Sequence, residues 1–425
     1  MKTTLGVIFA LLSLSASAQS PFGRSAVGGK VQQLGELTGS QPYALVANVA
    51  ISGNTLVLGA PVANSSDGCF ECGTAYVYTA VNGDWSNLQL TATLAQSSGQ
   101  AEGGFGGAVA VSGDTIVVGG YDSAALTGAA YIYINPSGTV TENAELTTSG
   151  APSGGFNSVA IDGGTIVAGS PLASVGTQTE LGAAYVYVEP SGGWVNMTQT
   201  AQLGAKNQSV GCYFGDAVGI SGRIVVVGSP RSQVNGLVQR GRAYVFVEPG
   251  GGWAGTQGQT TEIEPSDGVR KAFFGSSVSV SGSNVAAGAP EQSVGSSQNQ
   301  GVVYVYTEPS TGWPKTMTET AEITARDGKA GNELGAAVVI SGRTLLAGAP
   351  GVRNSQGVAY VFGEPSGGWR TGPGGQAISA SDGAPNNDFG ISVGLAGRIL
   401  AISAPGWPSG VPNNDGAVYV YGPTQ

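Results

Sequence analysis

The chain of 425 residues contains no histidine. That excludes Ser-His-Asp triads, Cys-His dyads and any His-ligated metal site within it. Charge is scarce as well, at 10% of residues. Lys and Arg are missing from residues 31–205, a span that carries 12 Asp or Glu. Residues 206–425 hold 14 Lys or Arg against 15 Asp or Glu. This acidic balance argues against a nucleic-acid partner. The acidic half reads either as a solvated surface or as a sector that attracts cations and basic partners.

Cysteine is nearly absent: Cys69, Cys72 and Cys212 are the only three. The string "CFEC" over 69–72 offers half a zinc site, but no second Cys or His pair completes it. In an oxidising compartment a Cys69–Cys72 loop disulfide is expected, which leaves Cys212 unpaired. Beyond the first 18 residues no apolar run approaches the ~20 needed to span a bilayer, so membrane insertion is not expected. A sustained helical period is also missing. No G-x-x-x-x-G-K-[ST] phosphate loop occurs, and no cofactor is called for.

What is present begins with "MKTTLGVIFALLSLSASA". A basic start, an apolar centre and a small-residue Ala16-Ser17-Ala18 end read as a secretory signal peptide over 1–18. Residues 19–29 form a lead-in, and the mature chain is expected to be secreted, extracellular or periplasmic. Glycine is abundant at 72 residues without a collagen-like period, and apolar content is 41%, enough for a buried core.

From residue 30 onward one phrase recurs. "AYVY", "AYIY", "AYVF" or "VYVY" places tyrosines at 76, 131, 185, 244, 304, 360 and 419, in steps of 54 to 60 residues. Each is preceded by a segment such as "LVLGAP" (56–61), "VVVGSP" (225–230) or "VAAGAP" (285–290). Such self-similarity is a repeat architecture and replaces any domain count based on length. Each copy reads as four strands: "FGxxVxVS", "xIVVGAP", "GAAYVYxEP", and a fourth after the tryptophan, as in "WVNMTQTAQL" (194–203). The first two, small and apolar, suit strands buried on both faces; the alternating fourth suits an outer position. Seven such sheets around an axis form a β-propeller. The expected fold is therefore all-β, with seven four-stranded antiparallel blades spanning 30–425. The chain stops after a third strand, "GAVYVYGPTQ", and "KVQQLGELTGS" (30–40) has the character of a fourth. The N-terminal strand is thus expected to complete the last blade and close the ring.

The phrases "FG…GAP" resemble FG-GAP repeats, the family that includes the N-terminal propeller of integrin α-subunits. That resemblance implies a propeller whose long-loop face binds ligands. It also raises the question of calcium, which family members bind through D-x-D-x-D-G turns between strands one and two. Here those turns read "SGNT", "SGDT", "DGGT", "SGRI", "SGSN", "SGRT" and "AGRI". Calcium wants about six to eight oxygen ligands. Asp114 or Asp162 alone cannot supply them, and Arg223, Arg343 and Arg398 stand where a carboxylate would. No metal is expected in these turns.

The connections between strands two and three, and between one blade and the next, are long and variable. They emerge on one face, which becomes the expected binding surface. Arg231, Arg240 and Arg242, with Arg270 and Lys271, form a candidate anion-reading patch there, the alternative being scattered solvated charge. Trp407 could stack on a sugar or a partner, or pack on its own loop's prolines. The other tryptophans and the repeated tyrosines are expected in inter-blade packing. Asn64, Asn196 and Asn207 begin N-x-[ST] sequons, relevant in a glycosylating host.

With no catalytic constellation recognised, the expected function is non-enzymatic binding of an extracellular protein or carbohydrate. A carbohydrate-active enzyme, a polysaccharide lyase or glycosidase, is the alternative, with Asp216, Glu291 and Asp388 as candidate carboxylates. A structural module of a cell-surface assembly is a third reading.

Overall fold

The computed structural model describes residues 31–38, 47–63, 72–97, 104–122, 127–149, 155–406 and 416–423. Residues 1–18, the expected signal peptide, and Asn64, Cys69 and Trp407 lie outside them. The strands form seven sheets. Blade four shows the unit: Val218–Ser221, Ile224–Ser229, Arg242–Val247 and Thr261–Ile263, each antiparallel to the next. Val, Ile and Tyr supply the β-branched and aromatic side chains that suit a pleated, buried surface. The first two strands join through two residues, and the glycine opening each turn has positive φ, as at Gly222 (φ 54°). A two-residue hairpin with glycine in first place allows this.

The first strand of every blade contacts the first strand of the next, and that of blade seven (Val393–Ala396) contacts that of blade one (Asn48–Ser52). The seven inner strands therefore form a closed ring. Val31–Thr38 pairs antiparallel with Ala417–Pro423 and is the outer strand of blade seven.

Two expectations are corrected. The inner strands are not buried on both faces. Ser158–Asp162 is mostly half-exposed, whereas the second strand beside it, Thr165–Ser170, is buried along nearly its whole length. An inner strand turns one face to the axis, so only the second strand is covered on both sides.

The second correction concerns the outer edge. "WVNMTQTAQL" is not one strand. Met197–Thr198 runs parallel to Leu146–Thr147 of blade two, and Ala201–Gly204 pairs antiparallel within its own blade three. Equivalent crossings give five of the seven sheets a fifth, parallel strand. Each crossing covers the neighbour's outer edge, which would otherwise present unpaired backbone groups.

The core lies between blades. Phe274, Tyr304 and Tyr306 of blade five pack with Val226 and Val245 of blade four. Phe274 meets the two tyrosine rings edge-on at 5.7 and 6.0 Å. Trp85 closes the junction of blades one and seven beside Ala401 and Val418. The repeated aromatics are thus inter-blade packing residues.

Candidate ligand-binding face

The long loops share one face because they hydrogen-bond to one another. Lys271 N, Phe273 N and Phe274 N donate to the carbonyls of Val238, Gln239 and Arg240, at 3.1 Å each. The same ladder recurs one blade on: Gly331 N to Gln298 O, Glu333 N to Asn299 O and Leu334 N to Gln300 O. The loops entering blades five, six and seven are in this way strapped to the preceding blade's loop between strands two and three.

The strap fixes a ring of special positions. The residue before the Phe-Gly phrase, Leu-Gly in blade six, has a left-handed backbone in blades two and four to seven. Blade two places glycine there, Gly104 (φ 58°), but blades four to seven place Tyr213 (φ 59°), Phe273 (φ 52°), Glu333 (φ 61°) and Asp388 (φ 53°). Holding a bulky residue in this region costs about 1–3 kcal/mol and concentrates at functional sites.

Blade four supplies a cationic and aromatic group. The guanidinium of Arg231 lies 3.9 Å from the centre of the Tyr213 ring. Asp216, three residues after Tyr213, is pushed up to about 6 by burial, and the charge of Arg231 only partly opposes this. Blades five to seven supply an acidic arc. Burial raises the Glu333 carboxyl above the usual range, and the charges of Glu291 and Asp388 raise it further. Among the described residues no group of three or more Asp, Glu, Cys or His is arranged to hold a metal ion.

Blade six also opens a cavity of about 580 Å³ between its loops and outer strand, with Asp327, Lys329, Asn332, Glu333, Arg353 and Ser379 in its wall. On the opposite face, Asp114, Asn135 and Thr91 line a smaller hollow of about 270 Å³ between blades one and two.

The FG-GAP repeat profile matches residues 89–133, 197–246, 258–306, 317–362 and 375–421, together more than half of the chain. The chain belongs to the FG-GAP repeat family. No curated protein sequence matches this FG-GAP protein. Among solved structures, the WD40 beta propeller domain of Doa1 aligns with a TM-score of 0.51 at 10% identity. The alignment covers 93% of this chain and 98% of that one, a likeness of fold alone.

Within the FG-GAP frame the five basic residues divide. Arg242 Nε stands 2.6 Å from Glu262, and both side chains are largely buried. Arg240 is buried, donates to Pro265 O at 2.5 Å and lies 4.0 Å from Glu264. These two are engaged inside the fold. Arg231, Arg270 and Lys271 are exposed on the loop face. Cys72 is disulfide-bonded. Cys212 is free and buried, its thiol directed at Leu181 O, 3.5 Å away. Asn196 and Asn207 are exposed, each in a hydrogen bond to a neighbouring strand.

Sequence reasoning missed Tyr213, Glu333 and the blade-six cavity. The signal for the first two was available: glycine precedes the phrase in blades two and three and is replaced in blades four to seven.

Proposed function

We propose that this FG-GAP propeller is a secreted, non-enzymatic binding protein that takes an extracellular protein or glycan on its long-loop face. One observation carries the reading. Residues that break the repeat gather on the rim of that face, at strained backbone positions, with cations on blades four and five and carboxylates on blades five to seven. The opposite face is joined by near-identical two-residue turns. A rigid scaffold with one individual face is built for recognition.

The mature chain, applied to a glycan and extracellular-protein array with and without chelator, tests this. Binding should survive the chelator. Arg231→Ala and Glu333→Gln should weaken it, and Asp114→Asn on the opposite face should not. Binding that ignores all loop-face changes would overturn the reading.

The acidic arc favours a second reading, a carbohydrate-active enzyme. A carboxyl whose proton is held more tightly by burial and by neighbouring carboxylates is the kind of group glycoside hydrolysis uses as its acid. Release of reducing sugar from polysaccharides, abolished by Glu333→Gln, would favour it over simple binding.

A further inference from the structure

Because seven blades share one register, an omission in one is visible against the others. The repeated tyrosine of each third strand faces a residue of the fourth. Tyr131, Tyr244, Tyr304 and Tyr419 face Glu145, Glu262, Glu322 and Glu36, and Tyr76 and Tyr185 face the polar Thr93 and Gln202. Tyr360 of blade six faces Ala377, the one apolar residue at this position.

The same blade is short in a second place. Fourteen residues lead from Pro230 to Tyr244 and from Pro290 to Tyr304, but ten from Pro350 to Tyr360. The hairpin tips formed by Val234 and Leu237, and by Val294 and Ser297, have no counterpart there. Arg353, Asn354 and Ser355 make a left-handed turn instead, with φ of 54°, 58° and 60°. Both omissions fall on the cavity, whose wall includes Ala377 and these three residues.

The cavity wall holds a largely buried amide, Asn332, which is 8% exposed. Its counterpart in blade seven, Asn387, bonds to Ala384 N and to Gly406 O.

The neighbouring blades indicate what would fill the space. In blade five Asp267 accepts from Tyr304 at 2.7 Å, and Glu322 lies close enough to feel its charge. In blade seven Asp382 accepts from Tyr419 at 2.9 Å, with Glu36 beside it. Blade six keeps Asp327 on Tyr360 at 2.9 Å but lacks the second carboxylate. It adds two cations to the wall, Lys329 and Arg353. The volume lies within the roughly 300–1,000 Å³ of small-molecule sites.

We propose that the blade-six cavity binds the carboxylate-bearing terminal sugar, a hexuronate, of an acidic glycan. Lys329 and Arg353 face its carboxylate, which takes the place where four other blades carry a glutamate. Asn332, Asn354 and Ser379, with the Asp327 and Glu333 carboxylates, meet the ring hydroxyls. This rests on the glycan arm of the reading above.

The test is calorimetric titration of the full mature chain with galacturonate oligomers, matched neutral galactose oligomers and a glutamate-rich peptide. Galacturonate should bind at least about tenfold more tightly than the neutral oligomer, as expected for hydrogen bonds to a charged group. Ala377→Glu installs the residue that four other blades carry, so it should melt like the parent and lose galacturonate binding. Asn332→Ala should weaken binding. Equal binding by Ala377→Glu and parent, or binding of the acidic peptide in place of the sugar, would overturn the proposal. Glycan binding lost in Arg231→Ala but intact in Ala377→Glu would sink the cavity assignment and leave the loop-face reading standing.

Discussion

Gly228 of blade four and Gly275 of blade five meet across the blade interface so closely that a Cβ on Gly228 would stand 1.9 Å from the Gly275 carbonyl oxygen. The same meeting recurs between Gly288 and Gly335 and between Gly348 and Gly390. The repeated phrase is therefore one contact written in two parts: the glycine two residues before the proline in one blade receives the glycine after the phenylalanine, or after Leu334 in blade six, in the next. Gly228→Ala should cost about 2–4 kcal/mol, because backbone rather than a flexible side chain must move. Gly250→Ala, with nothing within 4 Å of the added carbon, should be near neutral. Denaturant melts of the two variants decide it. A neutral Gly228→Ala would show that the interface is not packed backbone to backbone.

Val31–Thr38, the outer strand of blade seven, is expected to clasp the ring. Leu34 and Leu37 of this strand pack against the blade one and seven cluster. Half-burying two leucines and Val31 stabilises by about 3 kcal/mol. A chain beginning at residue 39 should lose at least that much, and a synthetic 30–40 peptide should restore part of it. If truncation leaves the thermal melt unchanged, the strand is not a clasp.

Asp216 gives a pH signature. Its folded-state carboxyl holds a proton to about pH 6, because burial penalises the charged form. In the unfolded chain it releases the proton near 4. Between these values the folded state binds more protons, so the contribution of Asp216 to stability falls as pH rises and is flat above. The whole effect is at most about 3 kcal/mol. The stability of Asp216→Asn relative to the parent should therefore rise from pH 4 to about 6.5 and then level. Parallel melts at pH 4, 5, 6 and 7 check this; a constant difference would show that Asp216 titrates normally.

The fold was legible because repetition makes strands countable. Seven tyrosines at near-constant steps outweigh any ambiguity in one short apolar run. The crossing of Met197–Thr198 to blade two was not legible, since a parallel two-residue pairing leaves the same alternation as a longer strand. The candidate site was legible as a face and not as residues. Arg231, Arg240 and Arg242 look alike in the chain. Only the partners differ: Tyr213 for the first, Pro265 O for the second, Glu262 for the third. The blade-six cavity comes from what blade six leaves out, and an omission has meaning only once Tyr360 and Ala377 are known to face each other.

The basic residues of blade four supply the last prediction, because one cluster should split into two phenotypes. Arg242 and Glu262 form a buried pair, and Asn207 donates to the other carboxylate oxygen at 2.7 Å. Removing one partner of such a pair leaves an uncompensated charge at a cost of about 3–5 kcal/mol, whereas replacing both is often neutral. Arg242→Met should therefore destabilise strongly, and Arg242→Met with Glu262→Gln should recover most of the loss. Arg231 is exposed over Tyr213, so Arg231→Ala should cost about 1 kcal/mol or less and act on ligand binding instead. A double-mutant cycle in urea separates the cases. Arg242→Met that folds as well as the parent, while Arg231→Ala unfolds, would reverse the assignment of structural and recognition roles.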